Sequence, residues 1–195
     1  MPNSLRLFVA VELSQEVHDR LCKLITELKA HGSKSARWVK PENLHLTLKF
    51  LGDTPPQAVA SVEETIQGVC ASSEAFHMSV RGSGAFPSLR QPRVLWAGLE
   101  ADSHLKELAA GLDTALEKLG YRKETRPFSP HLTLARIAYP ETSPAFENTL
   151  KALQTAKDRE FGSVNVRRVT LFQSTLAPGG SIYTPLERFQ LLDRN

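Results

Sequence analysis

The tetrapeptide His-Leu-Thr-Leu occurs twice in the chain, at residues 45–48 and again at residues 131–134. One copy would carry little weight, because so short a motif arises readily by chance. Two copies constrain the fold because the patterns around them also repeat. Residues 5–13, LRLFVAVEL, are rich in β-formers and read as a buried strand. Val17, Leu21, Leu24, Ile25 and Leu28 then recur as one stripe of an amphipathic helix, with Ser14 as its cap and Gly32 at its end. The first tetrapeptide lies in a strictly alternating run, Thr54 and Pro55 open a helix carrying Val59, Val62, Ile66 and Val69, and residues 76–82 form a third strand.

The same order starts again at residues 93–100, RVLWAGLE. Asp102 or Ser103 caps the next helix, whose inner stripe is Leu105, Leu108, Leu112, Leu116 and Leu119, with Gly120 as its stop. A strand begins at His131, Ser143 and Pro144 open a helix with Phe146, Leu150 and Leu153 inside, and residues 161–174 read as one following strand. A last strand near 182–191 has no counterpart in the first half. From His45 to Val80 is 35 residues, and from His131 to Val166 is again 35. Two β-α-β-α-β units, about 5–82 and 93–174, joined by the Gly-, Pro- and Ser-containing stretch 83–92, argue for a duplication. The expected fold class is α+β: one bilobal domain over residues 1–195, with pseudo-twofold symmetry around a central cleft.

Alternation along a strand puts each His and its Thr on one face and the leucines on the other. Pseudo-symmetry then brings two imidazoles and two hydroxyls to one site. Imidazole gives or takes a proton near neutrality, so a pair, one neutral and one charged, supplies a general base and a general acid together. The hydroxyls of Thr47 and Thr133 can donate to non-bridging phosphate oxygens, and histidines on opposite sides suit in-line displacement at phosphorus. Lys49 shares the parity of His45 and Thr47. Phe8 and Trp38 can stack on a base or join the core, and Arg122, Lys123 and Arg126 can line a phosphate rim or a solvated loop. The other histidines, His18, His31, His77 and His104, lie outside the repeat register.

Composition removes several other readings. The 195 residues are 41% hydrophobic and 23% charged, which suits a globular chain. The longest apolar run is Leu7 to Val11, too short for a bilayer span or the core of a signal peptide, so a cytoplasmic address is expected and no membrane association. Cys22 and Cys70 fall inside helical patterns and read as small buried thiols. No third His or carboxylate stands at a spacing that would complete a metal site, so no metal and no other cofactor is expected. A net charge of +3 is compatible with an anionic ligand without singling one out.

The paired HLTL motifs resemble those of the two-histidine phosphoesterase superfamily. The flanks RLFVAVEL, RWVKPENLHLTLKFLG and RPFSPHLTLAR are similar to its bacterial RNA 2′,3′-cyclic phosphodiesterase branch, also called 2′-5′ RNA ligase, from about Leu5 to Phe189. The resemblance implies a hydrolase, independent of metal, that opens a terminal 2′,3′-cyclic phosphate of RNA to a 2′-phosphate. It implies His45 as the proton donor to the 3′ oxygen, His131 as the proton acceptor from water, and Thr47, Thr133 and Arg136 as substrate-binding residues. By strand parity Arg136 lies opposite His131, so this role requires the strand to end or bulge before position 136. The expected partner is RNA with a cyclic phosphate end or a small cyclic nucleotide, with no obligate protein partner. Another cyclic-phosphate substrate, 2′-5′ cleavage or ligation at the same site, and an RNA-end-binding module without turnover remain the alternatives.

Overall fold

The computed structural model describes residues 4–193. The first half of the chain folds as β1 (Leu5–Val11), α1 (Gln15–Lys29), β2 (Ala36–Trp38), β3 (Leu46–Thr54), α2 (Val59–Cys70) and β4 (Phe76–Phe86). The second half follows as β5 (Val94–Ala101), α3 (Ser103–Glu117), β6 (His131–Ile137), α4 (Pro144–Thr155), β7 (Glu160–Val166), β8 (Arg168–Ala177) and β9 (Gly180–Gln190). Short 3₁₀ turns at Pro41–Asn43 and Pro56–Ala58 precede β3 and α2.

The caps act as their sequences suggest. Ser14 accepts from the Val17 amide, Asp102 from that of His104 and Ser143 from that of Phe146. Thr54 instead ends β3, and the 3₁₀ turn after Pro55 delays α2 to Val59. Leu119 lies past the end of α3 and is 43% exposed, so it does not extend the inner stripe. Cys70 is buried, which pushes its thiol up to about 12, while Cys22 is half-buried.

Two antiparallel sheets, ordered β3-β1-β8-β9 and β2-β6-β5-β4-β7, curl around a cleft. Helices α2 and α3 back the first sheet, and α1 and α4 back the second. The core runs continuously between helices and sheets, through residues such as Leu7, Val9, Leu46, Leu132 and Leu134. On the other face of the first sheet Phe8, Ala10 and Phe172 form a second, small cluster with Tyr183 against it.

Each sheet draws strands from both repeats. β4, from the first repeat, pairs with β5, and β8, from the second, pairs with β1. The blocks β3-β1-β8 and β6-β5-β4 therefore correspond, which makes β8 the counterpart of β4. The run 161–174 is two strands in different sheets. Phe161, Val164 and Val166 alternate with exposed residues, as in an edge strand. After the exposed pair Arg167 and Arg168, Val169 to Phe172 are buried without interruption, as in a central strand covered on both faces. Val166, at the matched spacing of 35 residues, lies in β7, which pairs with β4 itself through Phe76. The three-residue β2 is too short to show a period in the sequence. It pairs with β6 as Ala36–Ile137, Arg37–Arg136 and Trp38–Ala135.

Candidate active site

The two motif strands bulge at the same place. In the β1–β3 ladder Val9 faces Lys49 but Ala10 faces Thr47, leaving Leu48 as the extra residue. In the β5–β6 ladder Leu95 faces Ala135 but Trp96 faces Thr133, leaving Leu134 as the extra residue. Before each bulge His and Thr share the face away from the buried leucines. After it the parity inverts, so Lys49 and Ala135 are buried while Phe50 and Arg136 are exposed on the histidine's face. Arg136 thus reaches the side of the sheet that holds His131 and Thr133. Lys49 does not share the face of His45, against its parity in the sequence, because the bulge turns it into the core.

There Lys49, 5% exposed, donates to Asp113 on α3 and to the Arg122 carbonyl at 2.6 Å. Asp113 also accepts from the Glu124 amide at 3.1 Å. Burial pushes the Asp113 carboxyl up, but the hydrogen bonds from Lys49 and Glu124 outweigh it and leave the group below its usual value. The strand of the first motif is thereby tied to the loop that leads into the second.

Both histidines are oriented by the same device. His45 Nδ1 donates to the Asn43 carbonyl at 2.8 Å, and His131 Nδ1 donates to the Ser129 carbonyl, also at 2.8 Å. A carbonyl can only accept, so each Nδ1 carries its proton and each Nε2 is the nitrogen left for chemistry. The loop that supplies the Asn43 carbonyl is itself held, by Asn43 Nδ2 on the Ser181 carbonyl at 2.8 Å and by His18 Nε2 on the Pro41 carbonyl at 3.0 Å. His18, outside the repeat register, supports the site from α1.

The surroundings of the two rings differ. His45 packs against Phe8 at 4.9 Å and edge-on to Tyr183 at 5.2 Å between ring centroids, and its Nε2 lies 2.9 Å from Thr47 Oγ1. Burial pushes the His45 imidazole below its ordinary value, partly countered by the Asn43 carbonyl. His131 meets Phe86 edge-on at 5.1 Å, and its Nε2 has no hydrogen-bond partner among the described residues. Gly84 carries no Cβ because the Trp96 ring crosses it, within 2.5 Å of where that atom would be.

The motifs are close in the fold as well as in pattern. The Val39 amide donates to the Leu134 carbonyl at 2.9 Å, and His45 follows six residues later, within a contour of about 20 Å. β3 and β6 also touch directly. Phe8 is 3% exposed and packs under His45, whereas Trp38 is half-buried beside Ala135. Lys123 and Arg126 are exposed and pair with Glu117 and Glu124, while Arg122 gives its carbonyl to Lys49. Phe172, Tyr183, Phe50 and Arg37 escape the sequence reading. The first two come from strands whose sheet is set by the crossover, Phe50 is exposed only through the bulge, and Arg37 sits in the short β2.

Among the described residues no group of three or more His, Cys, Asp or Glu side chains is placed to hold a metal ion, and no helix is long and apolar enough to cross a membrane. A concavity of about 370 Å³ lined by Glu27, His31 and Arg159 lies between α1 and α4, away from His45 and His131.

The family model described as LigT like Phosphoesterase matches the chain twice, at residues 11–96 and 99–183, one match for each repeat. Among curated relatives, the RNA 2′,3′-cyclic phosphodiesterase of Methanothermobacter thermautotrophicus is 36% identical over 186 residues, covering 95% of this chain and 98% of that protein. The solved structure of TT0787 of Thermus thermophilus is similar with a TM-score of 0.80 and 32% identity, over 96% of this chain and 98% of that one. E. coli LigT, solved in complex with 3′-AMP, is similar with a TM-score of 0.77 and 28% identity, over 97% of this chain and 99% of that one.

Proposed function

The chain belongs to the LigT-like phosphoesterase family, and from that premise we propose that it is an RNA 2′,3′-cyclic phosphodiesterase working by two-histidine acid-base catalysis. The observation that carries the reading is the paired orientation of the imidazoles. Each Nδ1 is held by the carbonyl two residues upstream at 2.8 Å, which turns each Nε2 toward chemistry, with His45 Nε2 on Thr47 Oγ1 at 2.9 Å, and each ring has a threonine two residues on.

In the proposed reaction His131 Nε2 takes a proton from water as the water oxygen attacks phosphorus. The bond from phosphorus to the 3′ oxygen breaks, and His45 Nε2 gives its proton to that oxygen. The products are a 2′-phosphate and a free 3′-hydroxyl, with the two imidazoles left in exchanged protonation states that solvent resets. The hydroxyls of Thr47 and Thr133 and the Arg136 guanidinium donate to the non-bridging oxygens, where charge accumulates. Thr47 must leave His45 Nε2 to do so. Burial favours neutral His45 in the free protein, so the acid role rests on the bound phosphate anion to hold the proton there. Neither histidine needs a metal for these steps.

The test is incubation with an RNA oligonucleotide ending in a 2′,3′-cyclic phosphate, with EDTA present and the product identified by phosphorus NMR. A 2′-phosphate that forms despite EDTA and requires both histidines is the expected result. An unchanged cyclic phosphate rejects this substrate, and loss of turnover with EDTA rejects the metal-free route.

A further inference from the structure

The fold sets two arginines side by side on the face of His131. β2 forms a register with β6 in which Arg37 lies directly opposite Arg136, and directly opposed residues of a ladder share a face. The bulge at Leu134 has already turned Arg136 onto the histidine's side. Both side chains are exposed, and neither makes an ion pair or hydrogen bond with a carboxylate among the described residues. Like charges placed opposite one another in a sheet are destabilising. Nothing in β2 relieves the repulsion by moving away, because the strand is fastened at both ends.

Upstream, the Glu141 carboxylate accepts from the Ser35 amide and from Ser33 Oγ, both at 2.9 Å. Hydrogen bonds from Ser143 and Ser35 hold that carboxyl down to about 2, so it stays charged across the physiological range. Downstream, the Val39 amide is bonded to the Leu134 carbonyl.

The first sheet treats its cations differently. There Arg188 donates to Glu12 through Nε and Nη2, both at 3.1 Å, with Arg168 Nε at 3.5 Å from the same carboxylate. Those guanidiniums have an internal anion, while the pair on the second sheet is left for an external one.

We propose that Arg37 binds the phosphodiester on the 5′ side of the terminal nucleotide, with Arg136 beside it on the reacting phosphate. This rests on the RNA-end reading above and deepens it. Neighbouring strands stand about 4.8 Å apart, so two guanidiniums on adjacent strands can take consecutive phosphates of one chain, and a cyclic mononucleotide tests this against two oxygens of one phosphate. A cyclic mononucleotide lacks the second phosphate and makes only the first contact. Arg37 is therefore a specificity residue that favours RNA chains over cyclic mononucleotides.

The experiment compares a 2′,3′-cyclic mononucleotide with a short RNA ending in the same cyclic nucleotide, using the full chain and its Arg37→Ala and Arg37→Lys variants. In Arg37→Ala, KM for the RNA is expected to rise about tenfold, the equivalent of about 1.4 kcal/mol, with kcat retained and both constants for the mononucleotide unchanged. Its log–log salt slope for the RNA falls by about 0.7, the value of one phosphate contact on a single strand. Arg37→Lys recovers most of the loss because it keeps the charge. Equal losses on both substrates would assign Arg37 to the reacting phosphate and overturn the proposal. So would unchanged kinetics on both, which would leave Arg37 as a charge guarding an edge strand. Melting temperatures no lower than that of the unmodified protein exclude a folding defect. Absence of turnover of either substrate by the unmodified protein would instead refute the underlying function.

Discussion

β3 and β6 bulge at equivalent leucines, and each turns the fifth residue after its histidine onto the histidine's face. In β3 that residue is Phe50, 65% exposed; in β6 it is Arg136. The residue just inside differs as well, with Lys49 buried in one strand and Ala135 in the other. Duplication has kept the backbone irregularity and the orientation of both imidazoles, while the positions that the bulge exposes have diverged. One side of the cleft is aromatic, with Phe8, Phe172 and Tyr183 around His45. The other adds cations to its aromatic rings, with Arg37 and Arg136 on the face of His131 and Phe86 edge-on to it. A symmetric frame thereby acquires a direction, which a substrate with a base at one end and phosphates at the other requires.

The sharpest way to break the comparison is to remove each imidazole. His45→Ala and His131→Ala are each expected to lower kcat by about 10²–10⁴, the usual worth of a general acid or base. Exogenous imidazole offers a second reading, because a cavity left by either ring can accept a free proton carrier. If only one variant lost activity, the two halves would not share the chemistry, and the paired-histidine mechanism would fail.

The buried difference at the bulge is next in size. Asp113→Asn leaves the Lys49 ammonium in the core without its counter-charge, and breaking a buried pair in this way costs about 3 kcal/mol. Lys49→Met removes the charge along with the need for a partner and is expected to be close to neutral, as the apolar Ala135 is on the other side. Urea unfolding of the two variants checks this. Greater destabilisation by Lys49→Met than by Asp113→Asn would show that the attachment to the Arg122 carbonyl, which only the former removes, outweighs the unpaired charge.

Arg136→Ala probes the exposed difference. Hydrogen bonds to charged groups contribute about 1.5–3 kcal/mol, so KM for a cyclic-phosphate substrate is expected to rise by about tenfold or more. Arg136→Lys should recover only part of this, since an ammonium lacks the planar fork that meets two phosphate oxygens. Steady-state kinetics with both variants separates charge from geometry.

The parts that followed from the sequence were those governed by local periodicity. Ser14, Asp102 and Ser143 cap their helices, and the stripe from Val17 to Leu28 is buried as its spacing requires. The histidine and threonine faces followed from alternation over residues 44–48 and 131–134. Alternation failed one residue later, at Lys49, because a bulge is set by how a strand registers on its neighbours and leaves no mark in its own hydropathy. The same failure carries Arg136 to the site. The exchange of β4 and β8 between sheets is equally silent, since either sheet would bury the same valines and leucines. β2 shows the limit from the other side: three residues hold no period, and its place is fixed by Glu141, more than a hundred residues away.

The smallest expected effect concerns the two imidazoles' unequal surroundings. Burial lowers His45 below the ordinary imidazole value of about 6.5. If His45 is the acid, activity needs it protonated and declines as the pH rises through its pKa. One limb of kcat/KM, which reports the free enzyme, should then lie below the ordinary imidazole value. Bound phosphate raises that pKa by adding an anion near Nε2, so the same limb of kcat should stand at a higher pH than that of kcat/KM. Profiles of both constants on one cyclic-phosphate substrate locate the two limbs, and a limb of kcat standing no higher than that of kcat/KM would overturn the bound-phosphate argument. Tyr183→Ala adds an internal check: opening the wall beside His45 relieves part of its burial, and the limb that belongs to His45 should move toward the ordinary value while the other stays in place.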